Sequence, residues 1–368
     1  MLNHVWSLLR QPVARAIGIS FFINGFVFGS WTSCIPYLKG KFELDEAELG
    51  LLLLSMPAGV LVMNPLTVYA LKQVGMVRST LVFGGLMGLA FALAISMPWL
   101  PLVSAGLFLA GCVFACHNVA MNTYASNLEA NHGMRLMAAC HGMWSLGAMT
   151  GALLSSLSFG ILKKMDLHFA SPQSLYFWSA ALLLVGLVWW IEEDLNRVTD
   201  PIHDDSKQVK SPLSMFKPNA TLLLLASVLI CTYFTEGSMA DWTAVYMQDM
   251  IRAPQNMIGW GYATFAACMA GGRFVGDELI HRYTGMVVLR AGGVLVFFGF
   301  LWIIFISNPW LVLPGFMLIG LGVSLASPIL YGASARVPNL PPGAGLATMN
   351  SFGMVAFLGG PVVIGFLA

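Results

Sequence analysis

Eleven apolar runs follow one another along this chain, spanning approximately 14–38, 47–71, 79–97, 101–125, 136–162, 173–191, 219–247, 256–276, 286–307, 309–334 and 343–368. Each is close to the ~20 residues that a helix needs to cross the hydrocarbon core of a bilayer. Short breaks such as M-P-W-L-P (97–101) and N-P-W (308–310) leave room only for tight turns between antiparallel neighbours. The fold expected is an all-α integral membrane protein. Only 10% of the residues are charged, against about 25% in a soluble domain, and this agrees with that class.

The remaining global features narrow the function. A net charge of +1 gives no electrostatic reason to expect nucleic acid as a partner. The six cysteines lie mostly in apolar runs without C-x-x-C spacing, so no disulfide framework is expected. Arg10 and Arg15 before the first run imitate a signal peptide. The run continues to Leu38 without an A-x-A site, however, and reads as a retained helix. The longest polar stretch, Glu192 to Lys217, reads as a solvated linker. It divides the chain into 1–191 (six helices), a linker at 192–218, and 219–368 (five helices). With the N-terminus inside, 13 of the 18 Lys and Arg fall on the cytoplasmic side, Arg273 counted among them. The positive-inside rule then predicts a cytoplasmic N-terminus.

The two halves echo each other. N-G-F-V-F-G-S-W-T (24–32) parallels E-G-S-M-A-D-W-T (236–243), with Asn24 standing where Glu236 stands. G-M-V recurs at Gly75 and Gly285, and G-G at 84–85 and 292–293, all with offsets of 208–212 residues. Six helices per unit is an even number, so both units cross the membrane in the same sense. Parallel repeats of six helices are the sequence sign of a secondary transporter built from two rocking halves. By that logic a twelfth helix is expected and missing from the second unit.

With these features the chain resembles the major facilitator superfamily. That family's loop signature has a Gly-Asp pair, basic residues and a Gly. It matches V-G-D-E-L-I-H-R-Y-T-G (275–285), with Gly276, Asp277, Arg282 and Gly285 at the signature positions. The first-half loop keeps Gly75 and Arg78 but has Lys72 where the Asp is expected. V-A-M-N (119–122), H-G-M-W-S-L-G (141–147), E-G-S-M-A-D-W (236–242) and R-V-P-N-L-P-P-G (336–343) resemble the YbjJ/MosC-like branch. The resemblance implies two pseudo-symmetric bundles, alternating access, a gating role for the loop residues, and a bacterial inner-membrane location. It also implies an Asp at position 118, where this chain has Asn.

Ionisable groups at membrane depth are costly and normally face a bundle interior or a cavity. Glu236 is the expected proton-coupling residue, because burial and solvation act in opposite directions on a carboxyl group. His141 is the second candidate. Asp241 is either a further cavity residue or a residue at the membrane surface. Asn24, Trp31, His117, Asn118, Asn122, Trp144, Trp242, Tyr246 and Asn350 complete the candidate substrate contacts. For Trp31 and Trp242 the competing role is interfacial anchoring. For the Asn and His residues it is hydrogen-bonded helix glue, worth about 0.6–2 kcal/mol. With no Lys or Arg expected in the apolar interior, a multiply anionic substrate is disfavoured.

Three functions fit these residues. The first is a proton-coupled transporter of a small polar organic solute such as a sugar, amino acid or organic acid, acting as a monomer without cofactor. The second is a copper transporter using His117, Met121, Cys116 and Cys140, whose soft donors suit that metal. The third is a sensor with a transporter fold. No nucleophile–base constellation or phosphate loop points to an enzyme.

Overall fold

A computed structural model describes residues 11–132, 136–165, 170–197, 220–334, 336–337 and 344–368. Among these the secondary structure is entirely helical. The elements are α1 (Pro12–Phe42), α2 (Glu46–Leu53), α3 (Ser55–Val74), α4 (Met76–Ser96), α5 (Leu100–His132), α6 (Met137–Lys164), α7 (Pro172–Asn196) and α8 (Ala220–Asp249). A 3₁₀ turn (Gln255–Met257) follows, then α9 (Trp260–Tyr283), α10 (Gly285–Phe305), α11 (Leu313–Val323), α12 (Ala326–Ser334) and α13 (Ala344–Leu367). Taking α2/α3 and α11/α12 as broken single crossings gives eleven crossings, one for each apolar run. Nine are long and apolar enough to cross a membrane by length and composition.

Local sequence sets the helix starts. Pro12 and Pro172 occupy first-turn positions, where the missing N–H costs nothing. Asp45 and Glu48 form a reciprocal capping box on α2. The linker expectation needs one correction. Helix α7 continues to Asn196, and Asp194 in it is buried against Arg15 of α1 at 2.7 Å. A paired carboxylate is tolerated inside a helix end that an unpaired one would leave solvated. The rest of the linker, with Lys207, Lys210 and Lys217, lies outside the described residues.

Packing repeats between the halves. In the first half α1 packs on α6, α2/α3 on α5, and α4 on α5. In the second, α8 packs on α13, α9 on α11, and α10 on α11. Without a hydrophobic drive between helices in lipid, such pairs rely on close backbone approach through small residues. The α1–α6 crossing shows this directly. A methyl group added at Gly25 would collide with the Trp144 carbonyl, and one at Gly147 with the Phe22 carbonyl.

The halves meet along α6–α9, α2–α13 and α1–α8. At one end they are sealed. Lys39 at the end of α1 binds Asp249 at the end of α8 (2.7 Å) and Glu46 (2.8 Å). Nearby, Ser156 of α6 accepts from the Gly259 amide at 3.0 Å.

The signature loops share a backbone device. Between α3 and α4, Gly75 takes φ 89°, ψ 153°; between α9 and α10, Thr284 takes φ 68°, ψ 149°. This region is essentially reserved for glycine, and a side chain there costs of order 1–3 kcal/mol. The loop resemblance put the second-half glycine at Gly285, one residue beyond the strained position.

Three substitutions test this on detergent-purified protein. Thr284→Gly should stabilise it by about 1 kcal/mol, seen as a higher melting temperature. Gly25→Ala should destabilise it by about 1–3 kcal/mol through overpacking. Gly186→Ala, where the added methyl meets open space, should stay within about 1 kcal/mol of the parent.

Candidate functional site

Between the halves lies a cavity of about 400 Å³ whose lining includes Met137, His141, Tyr233, Glu236, Arg273, Ser327 and Tyr331. It reaches from mid-helix residues of α8 and α9 to Met137, the first residue of α6, and Ile280 in the last turn of α9. It therefore extends away from the sealed end. Glu236 lies in it, as the sequence led one to expect. Arg273 lies in it as well, which corrects both the assignment of that residue to the cytoplasmic surface and the expectation of an interior without Lys or Arg.

Arg273 is held from two sides. Its Nη1 donates to Ser145 Oγ of α6 at 3.1 Å, and its Nη2 lies 4.0 Å from Glu236 Oε2. Both charged side chains are 18% exposed. The Glu236 Oε1 and Ser327 Oγ atoms are buried with no hydrogen-bond partner. A buried polar atom left unpaired costs about 1–3 kcal/mol, so two residues with such atoms in a cavity that also holds a guanidinium form a receptive surface for a polar guest. Tyr233 and Tyr331 join across the cavity through their hydroxyls at 3.1 Å. His141 also faces it, its ring edge-on to Phe21 with centroids 5.4 Å apart.

A second, smaller cavity of about 210 Å³ lies on the other side of Tyr233. Asp241 lines it, so this carboxylate belongs to the interior and not to the membrane surface. Trp31 lines it too and is 2% exposed, which removes the interfacial-anchor reading for that residue. Trp242 is half-buried, and its Nε1 lacks a partner.

Other candidates form a separate, closed network inside the first half. Trp144 Nε1, which can only donate, binds Asn24 Oδ1 at 2.8 Å. The Asn24 amide nitrogen therefore faces His117 Nδ1 at 3.1 Å, which must accept. The proton of this neutral imidazole then sits on Nε2. Asn24 and His117 are at most 1% exposed. Asn24 and His117 thus make the interhelical bond that the helix-glue alternative calls for, apart from His141 in the central cavity.

Asn122 is not glue between helices. Its Nδ2 turns back to the Asn118 carbonyl oxygen (2.8 Å) and side-chain oxygen (3.3 Å) on the same helix. Tyr246 donates to the Ile303 carbonyl and so is engaged with α10.

The copper donors are scattered. Cys116 faces Thr67 (Sγ to Oγ1, 3.4 Å) while its neighbour His117 faces Asn24, and Met121 and Cys140 are buried. Among the described residues no three His, Cys, Asp or Glu side chains come together to hold one ion. Of the loop residues, Gly276 lines the central cavity, Arg78 is exposed, and Arg282 stacks on Tyr283 at 5.4 Å. The side chains of Lys72, Asp277 and Asn350 lie outside the described residues.

Comparison with known proteins agrees with this architecture. The family model described as the Major Facilitator Superfamily matches residues 17–364. The chain is 29% identical to an uncharacterized transporter, y4wD, of Sinorhizobium fredii over 96% of its length and 90% of that protein's. It is 28% identical to the membrane protein MosC of Rhizobium meliloti, over 98% of this chain and 84% of the relative. The resemblance to the MosC-like branch read from the motifs is thereby borne out. Among solved structures it is similar to a bacterial homologue of the lysosomal transporter Spinster in an inward-facing, occupied conformation. That match has a TM-score of 0.72, 13% identity, and coverage of 98% of this chain and 81% of that one. It is also similar to FucP in its outward conformation, with a TM-score of 0.63, 18% identity, and coverage of 96% and 91%.

The closed network makes a prediction of its own. Asn24→Ala leaves the Trp144 N–H and His117 Nδ1 without partners and should destabilise the protein by about 2–4 kcal/mol. In a double-mutant cycle with His117→Ala, measured by thermal unfolding, the two losses should be clearly non-additive.

Proposed function

The chain belongs to the major facilitator superfamily, and on that premise we propose that it is a proton-coupled secondary transporter of a small polar organic solute. The observation that carries this reading is the unpartnered Glu236 Oε1 beside Arg273, in a cavity between two halves sealed at one end. Segments 1–191 and 219–368 act as the two rocking units, with 192–218 as their tether. The orientation follows from the basic residues. With Arg273 withdrawn to the cavity, 12 of the remaining 17 Lys and Arg still sit on the N-terminal side. In the bacterial inner membrane that makes the Lys39–Asp249 end the outer one, and the conformation described here is inward-facing.

Glu236 is the proton carrier in this scheme. Deprotonated, it draws Arg273 across the cavity; protonated, it releases the guanidinium for the polar groups of a solute. Coupling requires that the proton and the solute bind with different affinities in the two conformations, and a shared Arg273 supplies that difference. FucP is a fucose:proton symporter by name, and this supports the reading as an analogy of fold.

The test uses protein reconstituted in liposomes and a panel of labelled sugars, amino acids and organic acids. For the solute that is taken up, Glu236→Gln should abolish accumulation driven by a pH gradient yet retain exchange of solute for solute. Arg273→Gln should weaken solute binding about 30-fold or more, as expected when one partner of a desolvated charge pair is removed. A Glu236→Gln protein that still concentrates solute against its gradient in response to pH would overturn the assignment of Glu236.

A further inference from the structure

The smaller cavity has a chemistry of its own. Its walls are apolar except at Asp241, and five of the lining side chains are aromatic: Phe28, Trp31, Phe114, Tyr233 and Phe357. Both halves contribute, since Phe28, Trp31 and Phe114 come from α1 and α5 and the others from α8 and α13. Among the described residues no Lys, Arg or His pairs with Asp241, and no hydrogen bond to its carboxylate is seen. The carboxylates that do form ion pairs there are Glu46, Glu193, Asp194, Glu236 and Asp249. A carboxylate facing an apolar cavity without a partner is a costly arrangement unless a cation supplies the countercharge. Ring faces around it add to the attraction of one kind of cation, an organic ammonium, at about 0.5–2 kcal/mol per well-placed ring.

From this geometry we infer that the transported solute carries an organic ammonium group, which Asp241 and the surrounding aromatic rings bind in the smaller cavity. The inference rests on the transporter reading above and specifies its substrate class. Tyr233 lines both cavities, and Asp241 is five residues beyond Glu236 on the same helix. That separation is about 7.5 Å of helix rise and about 140° around the axis, so a solute that reaches from one carboxylate to the other passes round α8 alongside Tyr233. The ammonium then meets Asp241 while the hydroxyl or carboxyl groups of the same molecule face Arg273, Ser327 and Tyr331. Gly353 lets the Tyr233 ring pack closely against α13 between the two cavities, because a methyl group there would strike it.

Matched pairs of solutes test this on the full-length protein in detergent, with thermal stabilisation and equilibrium binding as readouts. Glucosamine is compared with glucose, and choline with its uncharged isostere 3,3-dimethylbutan-1-ol. The ammonium member of at least one pair should bind at least ~10-fold more tightly than its neutral partner, and Asp241→Asn should weaken it about 30-fold or more. Phe114→Leu, which keeps the charge and removes one ring, should weaken it a few-fold, and it serves if Asp241→Asn does not purify as a folded protein. Equal binding of both members, binding unaffected by Asp241→Asn, or no binding of any ammonium would overturn the inference. In the first two cases a neutral solute still taken up through Glu236 and Arg273 leaves the transporter reading intact. If liposome uptake also fails for the whole panel, the transporter reading falls with it.

Discussion

Lipid removes the force that packs soluble helices, and most of this architecture follows from what replaces it. Apolar side chains gain nothing by leaving one hydrocarbon for another, so helices associate where their backbones can touch. The α1–α6 crossing, with Gly25 and Gly147 each facing a carbonyl of the other helix, is the clearest case. Gly292 and Gly322 bring α10 and α11 together in the same way. Interfaces of this kind are geometrically strict but small. They hold each half as a unit, and close approaches of the same kind also join the halves, as at Gly50 and Gly365 between α2 and α13. At the sealed end Lys39, Glu46 and Asp249 form ion pairs within reach of water, where making and breaking them costs little, and the buried Ser156 adds a hydrogen bond to the Gly259 amide.

The same medium makes interior charge conspicuous. Glu236, Arg273 and Asp241 stand among apolar helices and are not fully compensated by one another. A structural ion pair would be closer than the 4.0 Å between Arg273 and Glu236 and would leave no buried carboxylate oxygen idle. The incomplete pairing is what one expects where the missing partner arrives and departs.

Much of this was legible in the sequence because membrane helices are specified by long, redundant signals. Each of the eleven crossings overlaps one apolar run, with two helices ending about two turns beyond theirs, and the offsets between N-G-F-V and E-G-S-M foretold the doubled packing pattern. Glu236 stood out as a carboxylate inside an apolar run. Arg273 escaped because it sits only four residues before Asp277, in a stretch that also holds Glu278 and Arg282, and so read as part of a charged helix end. A helix that runs on to Tyr283 carries the position two turns deeper than the apolar run implied. His117 shows the opposite error. Its place on a polar stretch with Asn118 and Asn122 hid the fact that successive residues of a helix point in different directions. The partner that satisfies His117, Asn24, lies 93 residues away, and no local pattern reports such a distance.

Asn24 and Glu236 occupy equivalent positions in the two repeats, and they have been put to different uses. The Trp144–Asn24–His117 chain has both of its hydrogen bonds made within its own half. A group that keeps the same partners in every conformation contributes equally to each and cannot tilt the balance between them. Reversing a two-state population from 1:99 to 99:1 takes about 5.5 kcal/mol of differential binding. On the proposed function, a network satisfied within one half supplies none of that energy. On the proposed function the first half then moves as a stiff lever, and the choice of which way the molecule faces falls to the groups of the second half that bind proton and solute.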